Sequence, residues 1–321
     1  MTPRPPLRRR SAISAIAGAV ALLLLVATGC SPAKESSSTE APVGGLCPVP
    51  PIDVVVSVDQ WGDLVEQLAG SCAKVTSIVA GGSVDPHDFE PTPADAAEMA
   101  KAELIVINGV GYDEWAQRAI DALSPRPAVL DIGGRYDMPA GGDPHLWYAP
   151  GVVRLALDDI TNALESVSPG AAEFFAARSV SVEDSMREYF DTIGRLREEF
   201  QNAQGGAVTY AATEPVFDAM ATTVGMADVT PEGFARATSN EGEPSPGDIA
   251  QIMDALADGS VSVLIVNVQS SSSMTDRLRE QAESHGVPIV EVTETMAPGA
   301  SSFQDWQVDQ LQAIESALGF S

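Results

Sequence analysis

A chain of 321 residues has room for two domains with separate cores. Hydrophobic residues make up 45% of it and charged ones 20%, the balance of a globular protein and not of a disordered one. Its 45 Asp+Glu against 18 Lys+Arg leave a net charge of −27, which repels nucleic acid and anionic substrates and attracts cations, so a nucleic-acid partner is argued against.

The first 29 residues carry Arg4, Arg8, Arg9 and Arg10 and no acid. An uncharged run from Ala12 to Thr28 leads into Gly29-Cys30. That run is short for a membrane span and suits the central region of a signal peptide. Small residues running into Gly-Cys resemble the lipobox of bacterial lipoproteins, with Ala27 where Leu is usual. The resemblance implies cleavage before Cys30, lipid on that cysteine and anchoring to the cell membrane on its outer or periplasmic side. An ordinary secreted signal and an uncleaved anchor helix are the alternatives. Loss of the four arginines takes the net charge from −27 to −31.

Residues 30–46 are small, polar and low in complexity, as expected of a flexible tether. With Cys30 lipidated, Cys47 and Cys72 remain. Export makes a disulfide the default for an even pair, closing a loop worth roughly 3–4 kcal/mol in the chain-entropy model. A thiolate metal site is the rival, without a Cys-x-x-Cys to support it.

Strands are expected at Ile52–Val58, Lys74–Ala80, Glu103–Asn108 and Ala128–Ile132, from their short apolar runs. Helices are expected at Trp61–Leu68, at Pro93–Ala102 with Thr92 as cap and Pro in the first turn, and at Asp113–Leu123. Strands alternating with helices at this spacing imply a parallel sheet flanked by helices. After Pro150 the strand signal stops. Val152–Val167 reads as helix, and Gly170–Phe200 as a long helical stretch whose stripe from Phe174 to Phe200 reads as core packing.

Alternation then resumes. Strands are expected at Ala207–Ala211, Val261–Asn267 and Pro288–Val292. Helices are expected at Phe217–Val224, Pro246–Ala257 with Ser245 as cap, Thr275–Ser284 and Ser302–Leu318. The expectation is therefore an α/β protein of two lobes, each a parallel sheet flanked by helices, joined by one long rigid helix. The divisions are 47–165 for the first lobe, 166–204 for the connecting helix and 205–321 for the second.

Two loops carry the chemistry. Asp85-Pro86-His87-Asp88-Phe89-Glu90-Pro91 leaves the end of a strand, and its prolines exclude helix and central strand. A stiff loop with one imidazole among acids suits a metal ligand, and it equally fits a solvated proline turn. The tripeptide recurs at Asp143-Pro144-His145, so two of the three histidines share one setting. His285, in Ser-His-Gly before a strand, reads as the last turn of a helix and not as a ligand.

These two segments resemble the first and second metal-binding motifs of the zinc/manganese solute-binding lipoproteins of ABC importers, the second as Asp143-Pro144-His145-Leu146-Trp147. Ile107-Asn108-Gly109 is similar to the segment after the third strand there. Ala212-Thr213-Glu214-Pro215-Val216-Phe217 resembles the third motif, and Val292-Thr293-Glu294-Thr295-Met296 the fourth; Glu243-Pro244-Ser245 matches a further recurrent segment. The resemblance covers about residues 47–320. It implies a metal receptor with the site in the interlobe cleft, His87, His145, Glu214 and Glu294 as ligands, an ABC permease as partner, a monomeric state and no catalysis. On the residues alone, Glu214 reads as a helix start and Glu294 as a surface loop acid. Three departures stand out. Glu294 replaces the usual Asp, no acid follows the second motif, so that a supporting partner is expected to be missing, and there is no His-rich insertion.

Two imidazoles and two carboxylates suit Mn²⁺, Zn²⁺ or Fe²⁺ better than Cu⁺ or Ca²⁺. A carboxylate at Glu214, where zinc-type relatives commonly place a third His, leans the cargo toward Mn²⁺ over Zn²⁺. The rival readings are an exported metallohydrolase with the same His/Glu set and a receptor for an organic solute. No His-Glu-x-x-His or Gly-x-Ser-x-Gly supports the first. The acidic loops argue against the second.

Overall fold

A computed structural model describes residues 45–81, 89–136, 142–240, 242–270 and 272–320. The leader, Cys30 and His87 lie outside the described residues, as does all but the end of the tether. Among the described residues no helix is long and apolar enough to cross a membrane.

The chain builds two sheets of the same topology. β1 (Ile52–Val58), β2 (Ala73–Val79), β3 (Leu104–Ile107) and β4 (Ala128–Asp131) form the first, in the order β2-β1-β3-β4. β5 (Thr209–Ala212), β6 (Ala227–Asp228), β7 (Val263–Asn267) and β8 (Ile289–Val292) form the second, in the order β6-β5-β7-β8. Every pairing is parallel. Helices α1 (Asp59–Ala69), α2 (Pro93–Met99) and α3 (Glu114–Asp121) connect the first sheet. Helix α2 starts at a capping box in which Thr92 and Asp95 satisfy each other's backbone donors. Helices α7 (Asp218–Val224), α8 (Glu232–Thr238), α9 (Pro246–Asp258) and α10 (Ser273–His285) connect the second, and α11 (Phe303–Ala317) follows β8. The same cap chemistry opens α9 at Ser245.

Between the sheets run α4 (Pro150–Val167), α5 (Ala172–Ser185) and α6 (Arg187–Gln201). The long helix expected over residues 170–200 is present and bends at Met186 between α5 and α6. Ser181 and Ser185 turn their hydroxyls back onto the carbonyls of Ala177 and Val182, a competition with the backbone ladder that bends helices. The apolar stripe packs as expected, with Phe175, Met186, Tyr189, Leu196 and Phe200 buried.

Two elements have no counterpart in the sequence reading. β6 is two residues long and lies at the sheet edge, and α8 buries one side chain, Phe234. Cys47 and Cys72 form the expected disulfide, which ties the start of the folded region to the end of α1's connection.

One apolar core runs from the first sheet through α4, α5, α6 and α11 to one face of the second sheet. A smaller one lies on the other face, under α8, α9 and α10. Strand β7 shows the period-two alternation that divides them: Val263 and Ile265 join the large core, Leu264 and Val266 the small one.

Candidate metal centre

Parallel α/β sheets bind ligands beyond the carboxyl ends of their strands, where the strand order reverses. The polar residues of this molecule collect there. Asp59 follows β1, Asn108 follows β3, Glu214 lies two residues past β5, Asn267 ends β7 and Glu294 lies two residues past β8. The segment after β4 carries His145.

Asn108 is fully buried and holds its neighbourhood in register. Its Oδ1 accepts from Trp61 Nε1 (2.9 Å), while its Nδ2 donates to the carbonyls of Gly109 (3.0 Å) and Pro144 (2.9 Å). The last of these pins the second Asp-Pro-His loop. Asp143 then closes on His145 from within the tripeptide: its Oδ1 accepts from the His145 backbone N–H at 3.0 Å and lies 2.6 Å from Nδ1. The missing acid after the second motif therefore leaves no gap. The supporting carboxylate comes from two residues before the histidine, because an Asx-type turn brings it back over the ring. A carboxylate on Nδ1 fixes the tautomer and orients Nε2, as around metal-binding imidazoles generally.

Nε2 of His145 lies 3.7 Å from Glu294 Oε2. His145 is 6% exposed and Glu294 1%, so Glu294 is not the surface acid its local sequence suggests. Tyr112 Oη donates to Glu294 Oε2 at 3.0 Å, and Asn267 Nδ2 donates to Oε1 at 2.7 Å. The same Asn267 amide reaches Glu214 Oε2 at 2.7 Å, so one donor holds the two carboxylates side by side. Gln269 fixes the Glu294 backbone, its Oε1 accepting from the N–H of Glu294 (2.6 Å) and of Thr295 (3.0 Å).

Burial pushes the His145 imidazole down, but its hydrogen bonding to Asp143 and the approach of Glu294 outweigh this and carry it up to about 10. Asp218 lines the same cleft and is pushed up to about 6, chiefly by burial, with the charges of Asp228 and Asp143 adding to it against a hydrogen bond from Tyr210.

The structure thus brings together His145, Glu214 and Glu294, drawn from both sheets. His87 lies outside the described residues. Among the described residues, no group of three or more His, Cys, Asp or Glu side chains stands as a metal cage by itself. His285 ends α10 with Nδ1 2.9 Å from the Gln281 carbonyl, as read from sequence. The cleft measures about 920 Å³, with Asp143 and His145 on one wall and Glu214, Asp218 and Glu243 among its other lining residues. Sequence reasoning missed Tyr112, Asn267 and Gln269. The visible signal was their place: each lies at or shortly after the end of a Val/Ile-rich strand.

The family model described as zinc-uptake complex component A, periplasmic (ZnuA) matches residues 54–317. The manganese-binding lipoprotein MntA of Halalkalibacterium halodurans is 25% identical over 313 residues, covering 93% of this chain and 96% of that protein. The high-affinity zinc uptake system protein ZnuA of Bacillus subtilis is 23% identical, covering 82% and 83%. Among solved structures, the Cd-bound periplasmic metal binding protein from Candidatus Liberibacter asiaticus superposes with a TM-score of 0.69 at 15% identity, covering 83% of this chain and 99% of that one. On the family match, which spans most of the folded region, the chain belongs to the ZnuA family.

Proposed function

We propose that this protein is the extracytoplasmic solute-binding component of an ABC importer, a receptor that captures a divalent transition metal ion and hands it to a membrane permease. Its ligands are His145, Glu214 and Glu294 together with His87, and the lipid on Cys30 anchors a monomer to the membrane. It performs no catalysis. The observation that carries this reading is the convergence of His145 and Glu294 from opposite sheets, 3.7 Å apart and buried, with Asp143 on the far nitrogen of the imidazole. Two carboxylates neutralise a divalent ion, which offsets its desolvation in a closed cleft.

Mn²⁺ is favoured over Zn²⁺ as cargo. Glu214 supplies a hard oxygen donor, and two carboxylates that can each bind through both oxygens permit the higher coordination Mn²⁺ accepts, whereas Zn²⁺ prefers about four donors. The relatives' names cover both metals, so the choice rests on the donor set. Competition titrations of the mature chain test it. Wild type should bind Mn²⁺ and Zn²⁺ stoichiometrically, and Glu214→His should raise the ratio of Zn²⁺ to Mn²⁺ affinity about tenfold or more, the scale of a ligand change that alters hardness. An unchanged ratio removes Glu214 from the ligand set and the preference for Mn²⁺ with it.

A further inference from the structure

Asp59 is the first residue of α1, half-buried directly after β1, and its carboxylate spans the two lobes. Oδ2 accepts from the backbone N–H of Gly81 at 2.7 Å, and Oδ1 from the backbone N–H of Met296 at 3.1 Å. Gly81 is the last described residue before segment 82–88, to which His87 belongs. It adopts φ +80°, a conformation that glycine takes without penalty and that turns its N–H onto Asp59. Met296 lies two residues beyond Glu294. One carboxylate therefore holds the turn after β2 in the first lobe and a segment adjoining a candidate ligand in the second.

We propose that Asp59 is a positioning residue of the metal site, a clamp that ties the Glu294 segment of the second lobe to the end of β2 in the first and so sets how tightly the ion is held. This rests on the metal-receptor reading above. Gly81 and Met296 use different oxygens of the carboxylate, which the N–H groups at the start of α1 also face, so the clamp needs both arms in place. An amide in place of the carboxylate keeps one acceptor and turns an NH₂ toward the other N–H, which breaks one arm without changing the size of the side chain. One turn along the same helix, Asp63 makes a comparable contact between lobes, its Oδ2 accepting from the N–H of Phe303 at 2.8 Å, but it touches neither ligand-bearing segment. Asp63 separates a positioning role from a general loss of adhesion between lobes.

The experiment measures Mn²⁺ affinity of the mature chain by chelator competition at fixed pH, for wild type, Asp59→Asn and Asp63→Asn. Metal-free thermal melts report folding alongside. Stoichiometric binding by wild type stands or falls with the metal-receptor reading, and the ratio of variant to wild type tests the clamp. Asp59→Asn should weaken Mn²⁺ binding about tenfold, the low end of the 10–100-fold effects of groups that support metal ligands, while Asp63→Asn stays within about twofold. Equal effects of the two variants, or less than about twofold from Asp59→Asn, overturn the proposal. Should Asp59→Asn fail to fold, Asp59→Glu replaces it, keeping both acceptors one methylene out of register. A loss of about threefold or more in that variant supports the clamp, and a smaller one overturns it.

Discussion

With His145 as a ligand of the proposed site, proton and metal ion compete for its Nε2. In the metal-free fold the imidazole lies between Asp143 and Glu294 and is carried up to about 10, so at neutral pH it holds a proton that the incoming ion must displace. Metal affinity should therefore keep climbing as pH rises from about 6 to about 9, instead of levelling off just above the ordinary histidine value of about 6.5. Stability of the metal-free protein runs the other way. The folded value lies above the unfolded one, so the contribution of His145 is complete below about 6.5 and is lost as pH rises through about 10. Calorimetry of Mn²⁺ binding in buffers of different ionisation enthalpy should count about one proton released through His145 at pH 7.5, and His145→Gln should lose it. Release of less than half a proton by wild type would mean that His145 is already neutral in the empty site.

At the scale of elements, the segment after β3 shows how backbone conformation places a side chain. Gly109, Val110 and Gly111 have φ values of 78°, 54° and 87°, three successive residues in the left-handed region. Glycine enters that region freely, whereas a β-branched valine does so only when its surroundings hold it there. Here Asp113 accepts from the N–H groups of both Asn108 and Gly109, and the run delivers Tyr112 to Glu294. A Cβ on Gly109 would lie 2.1 Å from Asp131 Oδ1. Gly109→Ala should cost at least about 2 kcal/mol, conformational penalty and clash together, read from urea unfolding. A cost below about 1 kcal/mol would show that the turn relaxes at little expense. The same segment marks the limit of sequence reading. Strands β1, β3 and β7 were visible because Val/Ile runs bounded by turns leave little choice. Elements β6 and α8 were not, because a two-residue edge strand has no periodicity and one buried Phe makes no stripe. Asp143-Pro144-His145 stood out by repetition. Glu294 stood out only through its resemblance to the fourth motif; its burial was not legible, because what buries it comes from Tyr112, Asn267 and Gln269, contacts remote in sequence.

Across the whole molecule, the two sheets are joined by a shared core and not by a flexible connector. Val54 and Leu104 of the first sheet and Val263, Ile265 and Val290 of the second belong to one buried cluster, with α4, α5, α6 and α11 between them. Polar contacts reinforce it: Tyr148 Oη lies 2.7 Å from both the Thr293 carbonyl and Gln310 Oε1, and Trp306 Nε1 donates to Thr293 Oγ1 at 3.0 Å. Separating the lobes would expose apolar surface on both at roughly 25 cal/mol per Å², so large hinge opening is opposed and the site must load and release through smaller movements of its loops. Hydrogen exchange tests this directly. Amides of β1 and β7 should open with the same free energy, that of global unfolding, because the core they share is lost only once. Amides of α9 and α10, which pack on the smaller cluster of Ile252, Leu256, Leu278 and Ala282, should open by a lower-energy local route. Should β7 exchange several kcal/mol more easily than β1, the second lobe would be an independent unit, and closure of one lobe on the other would return as the means of holding the ion.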